Sequence, residues 1–125
     1  MSDPAHSLAG RRILVVEDDY LIAMELKRWL QTAGYEVIGP VPSVDQALDL
    51  IEDEGLDAAV LDINLGDGDT PYPVADRLEL LRVPYLFAMG DVQKAKTGRY
   101  TEPPLLEKPC SKAEVLRTLS DLIAA

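Results

Sequence analysis

Residues 13–20 read ILVVEDDY, so four branched aliphatic residues stand directly before three consecutive acids. A short apolar run that ends at polar residues is typical of a buried strand. The spacing of Ile22, Leu26 and Trp29 then follows the helical period and predicts a helix from about residue 19 to residue 32. The stretch therefore predicts a strand that passes through an acidic turn into a helix.

The same alternation of short apolar runs and helical periods continues to the end of the chain. Ser43 with Gln46, and Ser111 with Glu114, have the spacing of helix capping boxes, and Pro73 suits the first turn of a helix over VADRLELLR. The later strands are predicted over YEVIGPV (35–41), AAVLDI (58–63), YLFAMG (85–90) and LLEK (105–108). Five strand–helix units predict an α/β fold with an open parallel sheet that helices cover on both faces.

Two strands carry a further signal about their place in the sheet. The run at 35–41 contains Pro40, which cannot donate to a strand ladder, so this strand is expected at an edge. The run at 58–63 is apolar without alternation, as in a central strand that is buried on both faces. Ligands in sheets of this kind bind beyond the carboxyl ends of the strands.

Composition limits the classes of function. The 125 residues carry 22 acidic and 12 basic side chains, a net charge of −10, which argues against nucleic acid or an anionic membrane as partner. Cys110 is the only cysteine, so neither an internal disulfide nor a zinc cluster is expected. No apolar segment is long enough to span a membrane. We expect a cytoplasmic protein with a flexible lead-in at 1–11 and one domain at 12–125.

The predicted sheet brings charged side chains from distant parts of the chain to one rim. The residues that end or directly follow strands are Glu17 and Asp18, Asp62, Met89 and Gly90, and Lys108. Carboxylates crowded on a partly desolvated rim repel one another unless a cation lies between them. Mg²⁺ prefers a few carboxylate oxygens together with water and phosphate oxygens, so Mg²⁺, or Mn²⁺ in its place, is the expected cofactor.

A divalent ion beside Asp62 suggests a specific chemistry. The ion and the Lys108 ammonium would offset negative charge on a phosphoryl group that is being transferred. Asp62 would then be the nucleophile that accepts the group.

The motifs ILVVEDD, VLDINL, VPYLFAMG and LLEKPC, in this order and at these spacings, resemble the receiver domain of two-component response regulators over residues 12–124. The resemblance implies a flavodoxin-like or CheY-like (βα)5 three-layer sandwich, with a parallel five-stranded sheet of order 2-1-3-4-5. It also implies a single-domain response regulator that modifies only itself and is not an enzyme acting on external substrates.

The resemblance further assigns roles by position. Asp62 would accept a phosphoryl group from a sensor histidine kinase or a histidine phosphotransfer protein. Asp18 and Asp62 would bind Mg²⁺ with the backbone carbonyl of Asn64, and Glu17 would act through a water. Lys108 would pair with the phosphoryl group. The modified domain would then bind an unidentified downstream protein differently, and the family's output surface also allows a homodimer.

Three positions around this predicted site affect switching. Gly90 would leave the phosphoryl group open to water. Met89 stands where receivers usually carry Thr or Ser, and a thioether cannot donate a hydrogen bond. Leu105 replaces the usual switch Tyr or Phe. Apart from Met89, strand four resembles a subset of receivers that end this strand with Phe-Ala-Thr-Gly. Because Met89 and Leu105 replace the two usual switch residues, the alternative function is a receiver-like interaction module that works without phosphorylation.

Other interpretations fit the sequence less well. Asp19 is expected to serve the helix N-terminus rather than the site. The acids of DGDTP (67–71) lack the spacing of a dehalogenase-type phosphatase or an EF-hand. A flavodoxin-like small-ligand domain would need a first loop rich in backbone donors, and EDDY does not provide one.

Overall fold

The structure is a computed structural model that describes residues 10–53, 55–63, 65, 70–89, 104–107 and 111–124. At residues 89, 105 and 107 only the backbone is described. The predictions for Asn64, Gly90 and Lys108 lie outside the described residues, as does the lead-in up to residue 9.

Strands and helices alternate along the described chain. The strands are β1 (Arg12–Val16), β2 (Glu36–Val41), β3 (Ala58–Asp62), β4 (Tyr85–Met89) and β5 (Leu105–Glu107). The described helices are α1 (Tyr20–Thr32), α2 (Val44–Asp53), α3 (Tyr72–Leu80) and α4 (Lys112–Ala124). The segment between β4 and β5, where a further helix is expected, lies outside the described residues.

The five strands form one parallel sheet of order β2-β1-β3-β4-β5. The α/β class and the parallel sheet are thus confirmed, and the order is the one that the resemblance implies. All five residues of β3 are buried, as expected for a central strand, and β2 lies at an edge. The carboxyl ends of β1, β3 and β4 consequently lie side by side at one rim of the sheet.

Each face of the sheet carries its own hydrophobic core. Leu14, Val16 and Leu61 belong to a core that includes residues of α2 and α3. Their neighbours Val15 and Val60 belong to the opposite core, which includes residues of α1 and α4. This alternation makes β1 and β3 apolar throughout, because successive side chains point to opposite faces. Each buried aliphatic side chain of this kind contributes about 1.5–3 kcal/mol.

The helix termini follow the side-chain signals in the sequence. The Ser43 hydroxyl accepts a hydrogen bond from the amide of Gln46 at 3.3 Å, and the same arrangement joins Ser111 and Glu114 at 3.1 Å. Both serine caps are therefore confirmed, and at Ser111 the side chain of Glu114 also accepts the serine amide at 3.2 Å, which completes that capping box. Pro73 lies in the first turn of α3, but that helix begins at Tyr72, earlier than the VADRLELLR pattern suggested.

The edge strand β2 contains a bulge. Leu14 pairs with Ile38 and Val16 pairs with Val41, so β2 has one more residue than β1 between these pairs. Gly39 lies in this interval with a φ of 92°, and the Gly39–Pro40 peptide is cis. The bulge lies next to the end of β1, where the acidic turn begins. None of the described helices has both the length and the apolar character needed to cross a membrane.

Candidate functional site

Three carboxylates meet at the rim of the sheet. Val16 of β1 pairs in register with Leu61 of β3. The residues that follow them, Glu17 and Asp62, therefore lie at the same level of the sheet. One carboxylate oxygen each of Glu17, Asp18 and Asp62 lies within 4.8 Å of the other two. Glu17 and Asp62 are each only 3% exposed, whereas Asp18 is exposed. The predicted proximity of these three side chains is confirmed, and their roles remain predictions.

Backbone hydrogen bonds fix the segment that carries Glu17 and Asp18. The amide of Glu17 donates to the carbonyl of Val41 in the edge strand at 3.0 Å. The side chain of Glu17 in turn accepts a hydrogen bond from the amide of Asp19 at 3.1 Å. The acidic turn is therefore attached both to β2 and to its own first helical residues.

Asp19 serves α1 and lies outside the group of three carboxylates. Its Oδ1 accepts hydrogen bonds from the amides of Leu21 at 3.0 Å and Ile22 at 3.1 Å. These are the amides that a helix leaves without internal partners at its N-terminus. The expectation that Asp19 serves the helix N-terminus is confirmed, and the structure shows that it does so as the N-cap residue.

The donor set suits a hard divalent cation. Carboxylate oxygens are the ligands that Mg²⁺ prefers, at roughly 2.0–2.1 Å, so two oxygens on one ion lie at most about 4.2 Å apart. The three oxygens lie within 4.8 Å of one another, which exceeds that limit by at most about 0.6 Å and leaves room for one ligand that acts through water. Burial of two of the three carboxylates adds a physical reason for a cation, because crowded buried anions are costly.

The two atypical positions lie in strands beside the site. Ala88 pairs in register with Asp62, so Met89, the last residue of β4, comes one position beyond the level of Asp62. Leu105 is the first residue of β5 and pairs with Phe87. Residue 89 therefore lies at the rim of the sheet. Residue 105 lies level with Phe87, which is two positions before Met89 in β4.

Aromatic contacts attach α3 to β4. Phe87 packs edge-on against Tyr72 with ring centroids 6.0 Å apart, and against Tyr85 with centroids 5.4 Å apart. The hydroxyl of Tyr85 donates to the carboxylate of Glu79. Burial raises the pKa of the Tyr72 phenol. Helix α3 is consequently held to the strand at both its first residue and its last turn.

Sequence reasoning missed the contribution of the edge strand. Neither Gly39 nor the carbonyl of Val41 was identified, although Val41 accepts the amide of Glu17. The available signal was a glycine inside a strand pattern, which often marks a bulge or a close approach of another backbone. That signal does not say which backbone comes close, and Glu17, which donates to Val41, is 24 residues away from it along the chain.

The comparisons with known proteins agree with this geometry. The family model described as the response regulator receiver domain matches residues 13–76. The phyllosphere-induced regulator PhyR of Methylorubrum extorquens is 32% identical over 114 residues, which are 89% of this chain and 43% of that protein. The chain spans about half or less of the length of the curated relatives it matches.

Solved structures extend the likeness to three dimensions. SdrG from Sphingomonas melonis Fr1 is 38% identical with a TM-score of 0.81, covering 91% of this chain and 97% of that chain. The receiver domain of sensor histidine kinase PA1611 from Pseudomonas aeruginosa PAO1 is 25% identical with a TM-score of 0.82, covering 94% and 100%. That structure has a magnesium ion coordinated in its active site cleft.

Proposed function

The chain belongs to the response regulator receiver family, and on this premise we propose that Asp62 accepts a phosphoryl group from a phosphohistidine and that the protein signals through altered protein binding. In this reaction the P–N bond of the donor breaks and a P–O bond to the Asp62 carboxylate forms. The histidine nitrogen keeps the electron pair of the broken bond. The donor is a sensor histidine kinase or a histidine phosphotransfer protein.

The single observation that supports this proposal most is the group of three carboxylates. Asp62 is buried at the end of a central strand, with oxygens of Glu17 and Asp18 within 4.8 Å. Two further carboxylates so close to a nucleophilic carboxylate repel it unless a cation offsets their charge. A site that holds a cation against an incoming phosphoryl group needs this charge.

Asp18 and Asp62 would hold Mg²⁺ directly, with Glu17 acting through water. The bound ion supplies charge neutralisation, which lets the anionic donor approach the anionic acceptor. The residues of the chain itself position the acceptor and the metal ligands. The end of β3 presents the Asp62 carboxylate, and the hydrogen bonds of Glu17 hold the acidic turn beside it. The magnesium ion in the similar PA1611 receiver supports this choice of metal.

The test is phosphorylation by acetyl phosphate, followed by intact-mass measurement. We expect wild type with Mg²⁺ to gain one phosphoryl group, and expect no gain for Asp62→Asn or for wild type in EDTA. Asp57→Asn is the matched control, because Asp57 is an acid just before β3 that binds the amide of Arg12, far from the rim. A modified Asp62→Asn variant, or an unmodified wild type, would contradict the proposal.

The second candidate is a receiver-like interaction module that needs no phosphorylation. Met89 and Leu105 favour it, because a hydroxyl and a switch aromatic are both missing from the positions where receivers usually have them. The two candidate functions predict different effects of Asp62→Asn in cells. If phosphorylation drives the output, Asp62→Asn should behave like loss of the protein, whereas for the second candidate it should behave like wild type.

A further inference from the structure

The bulge of β2 shapes the candidate site from outside it. Because β2 has one extra residue between its pairs with Leu14 and Val16, Val41 rather than Pro40 lies level with Val16, the last residue of β1. The carbonyl of Val41 can then accept the amide of Glu17 at 3.0 Å. An unbulged strand in the same register would bring a different residue to this point.

Residue 39 has to be a glycine for this bulge to close. Its φ of +92° lies in the region that side chains disfavour. A Cβ there would lie 2.9 Å from the amide nitrogen of Val41 and 3.2 Å from the carbonyl oxygen of Val15. Both neighbours are backbone atoms, so neither can rotate away. Any side chain at residue 39 must therefore displace the backbone at Val41 within β2, and it also crowds the Val15 carbonyl of β1.

We infer that Gly39 is a positioning residue for the metal site, because it sets the place of Glu17 through the Val41 carbonyl. Displacing Val41 loosens the Glu17 amide, and the Glu17 side chain, which accepts the Asp19 amide, moves with its backbone. This inference rests on the proposed function for its metal. Loss of a group that orients a ligand typically lowers metal affinity roughly 10- to 100-fold.

The experiment compares Gly39→Ala with Gly10→Ala. Gly10 has a similar φ of +80°, but a Cβ there meets nothing within 4 Å, and Gly10 bonds to Gly34 at the other end of the sheet. The control thus carries the backbone strain without the clash. Mg²⁺ affinity is measured by calorimetry at a temperature where circular dichroism shows each variant folded. Hydrogen exchange of the Glu17 amide is measured without metal.

We expect Gly39→Ala to bind Mg²⁺ about tenfold or more weakly and to exchange its Glu17 amide faster, with Gly10→Ala equal to wild type in both. Equal affinity in Gly39→Ala and wild type would overturn the inference and leave the proposed function intact. The same loss in Gly10→Ala would also overturn it, since the effect would then be general destabilisation.

The test also covers a variant that does not fold and a wild type that does not bind Mg²⁺. If Gly39→Ala does not fold, Gly39→Asn replaces it, because asparagine tolerates positive φ better yet carries the same Cβ. If wild type binds no Mg²⁺, the proposed function fails instead. Exchange of the Glu17 amide then decides alone, and an unchanged rate in the residue 39 variant overturns the positioning role.

Discussion

The amide of Ile63 donates a hydrogen bond to the carbonyl of Ala88 at 3.0 Å. This bond joins the residue after Asp62 to the residue before Met89, and Ala88 itself pairs in register with Asp62. The ends of β3 and β4 are therefore coupled through their backbones. This bond is made by backbone atoms alone, so it does not depend on the side chain at residue 89.

Restoring the hydroxyl that receivers usually have at residue 89 should strengthen the modified state. We expect Met89→Thr to bind beryllofluoride, a phosphoryl mimic, about tenfold more tightly in Mg²⁺ than wild type. The reason is that a hydrogen bond to a charged group contributes about 1.5–3 kcal/mol, and about 1.4 kcal/mol is already a factor of ten. Fluorescence or NMR titration measures the affinity.

Met89→Val is the matched control, since valine has the shape of threonine without the hydroxyl. We expect the valine variant to resemble wild type in its affinity. If threonine and valine tighten binding equally, the gain comes from shape, and the hydrogen-bond explanation is wrong.

The neighbouring acids Asp18 and Asp19 should separate metal binding from helix stability. Asp18→Asn should weaken Mg²⁺ binding about tenfold or more, because Asp18 belongs to the carboxylate group, while the free energy of unfolding in EDTA should stay nearly unchanged, because Asp18 is exposed. Asp19→Ala should lower the free energy of unfolding by about 1 kcal/mol, because it removes the cap of α1.

Calorimetry and urea unfolding check the two effects, and Asp19→Asn is the control because asparagine also caps helices well. A loss of Mg²⁺ affinity in Asp19→Asn as large as that in Asp18→Asn would show that Asp19 belongs to the metal site after all.

The crowding of carboxylates predicts a stability that depends on metal. In EDTA, Asp62→Asn should be more stable than wild type by on the order of 1 kcal/mol, since it removes like-charge repulsion from the rim. In saturating Mg²⁺ the order should reverse, because wild type gains about 2.7 kcal/mol at 100 times the dissociation constant. Thermal unfolding in both conditions measures this.

Asp45→Asn serves as the control for that experiment, because Asp45 is an exposed acid in the first turn of α2. Its effect on the midpoint should be small and the same with and without Mg²⁺. A destabilised Asp62→Asn variant in EDTA would contradict the prediction, because it would show that the interactions of the Asp62 carboxylate with the protein outweigh the repulsion at the rim.

Local signals in the sequence were enough for much of this architecture. Ser43 and Ser111 each identified a helix start, because capping depends on side chains only a few residues away. Asp62 was found because strand ends in a parallel sheet meet at one rim. The bulge at Gly39 was missed because its consequence, the bond from Glu17 to Val41, depends on register between strands, which no local pattern specifies.

The end of α3 offers a stabilising change away from the site. Arg82 follows the C-cap Leu81 and has a φ of 59°, the left-handed conformation that usually belongs to glycine at this position. A non-glycine residue there costs roughly 1–2 kcal/mol, while glycine adds about 0.5–1 kcal/mol of unfolded-state entropy. Arg82→Gly should therefore raise the free energy of unfolding by about 0.5–1 kcal/mol in urea unfolding. Leu81→Gly, at a right-handed φ of −89°, should lower it. Equal effects of the two glycines would mean that the left-handed strain at Arg82 is not what limits stability.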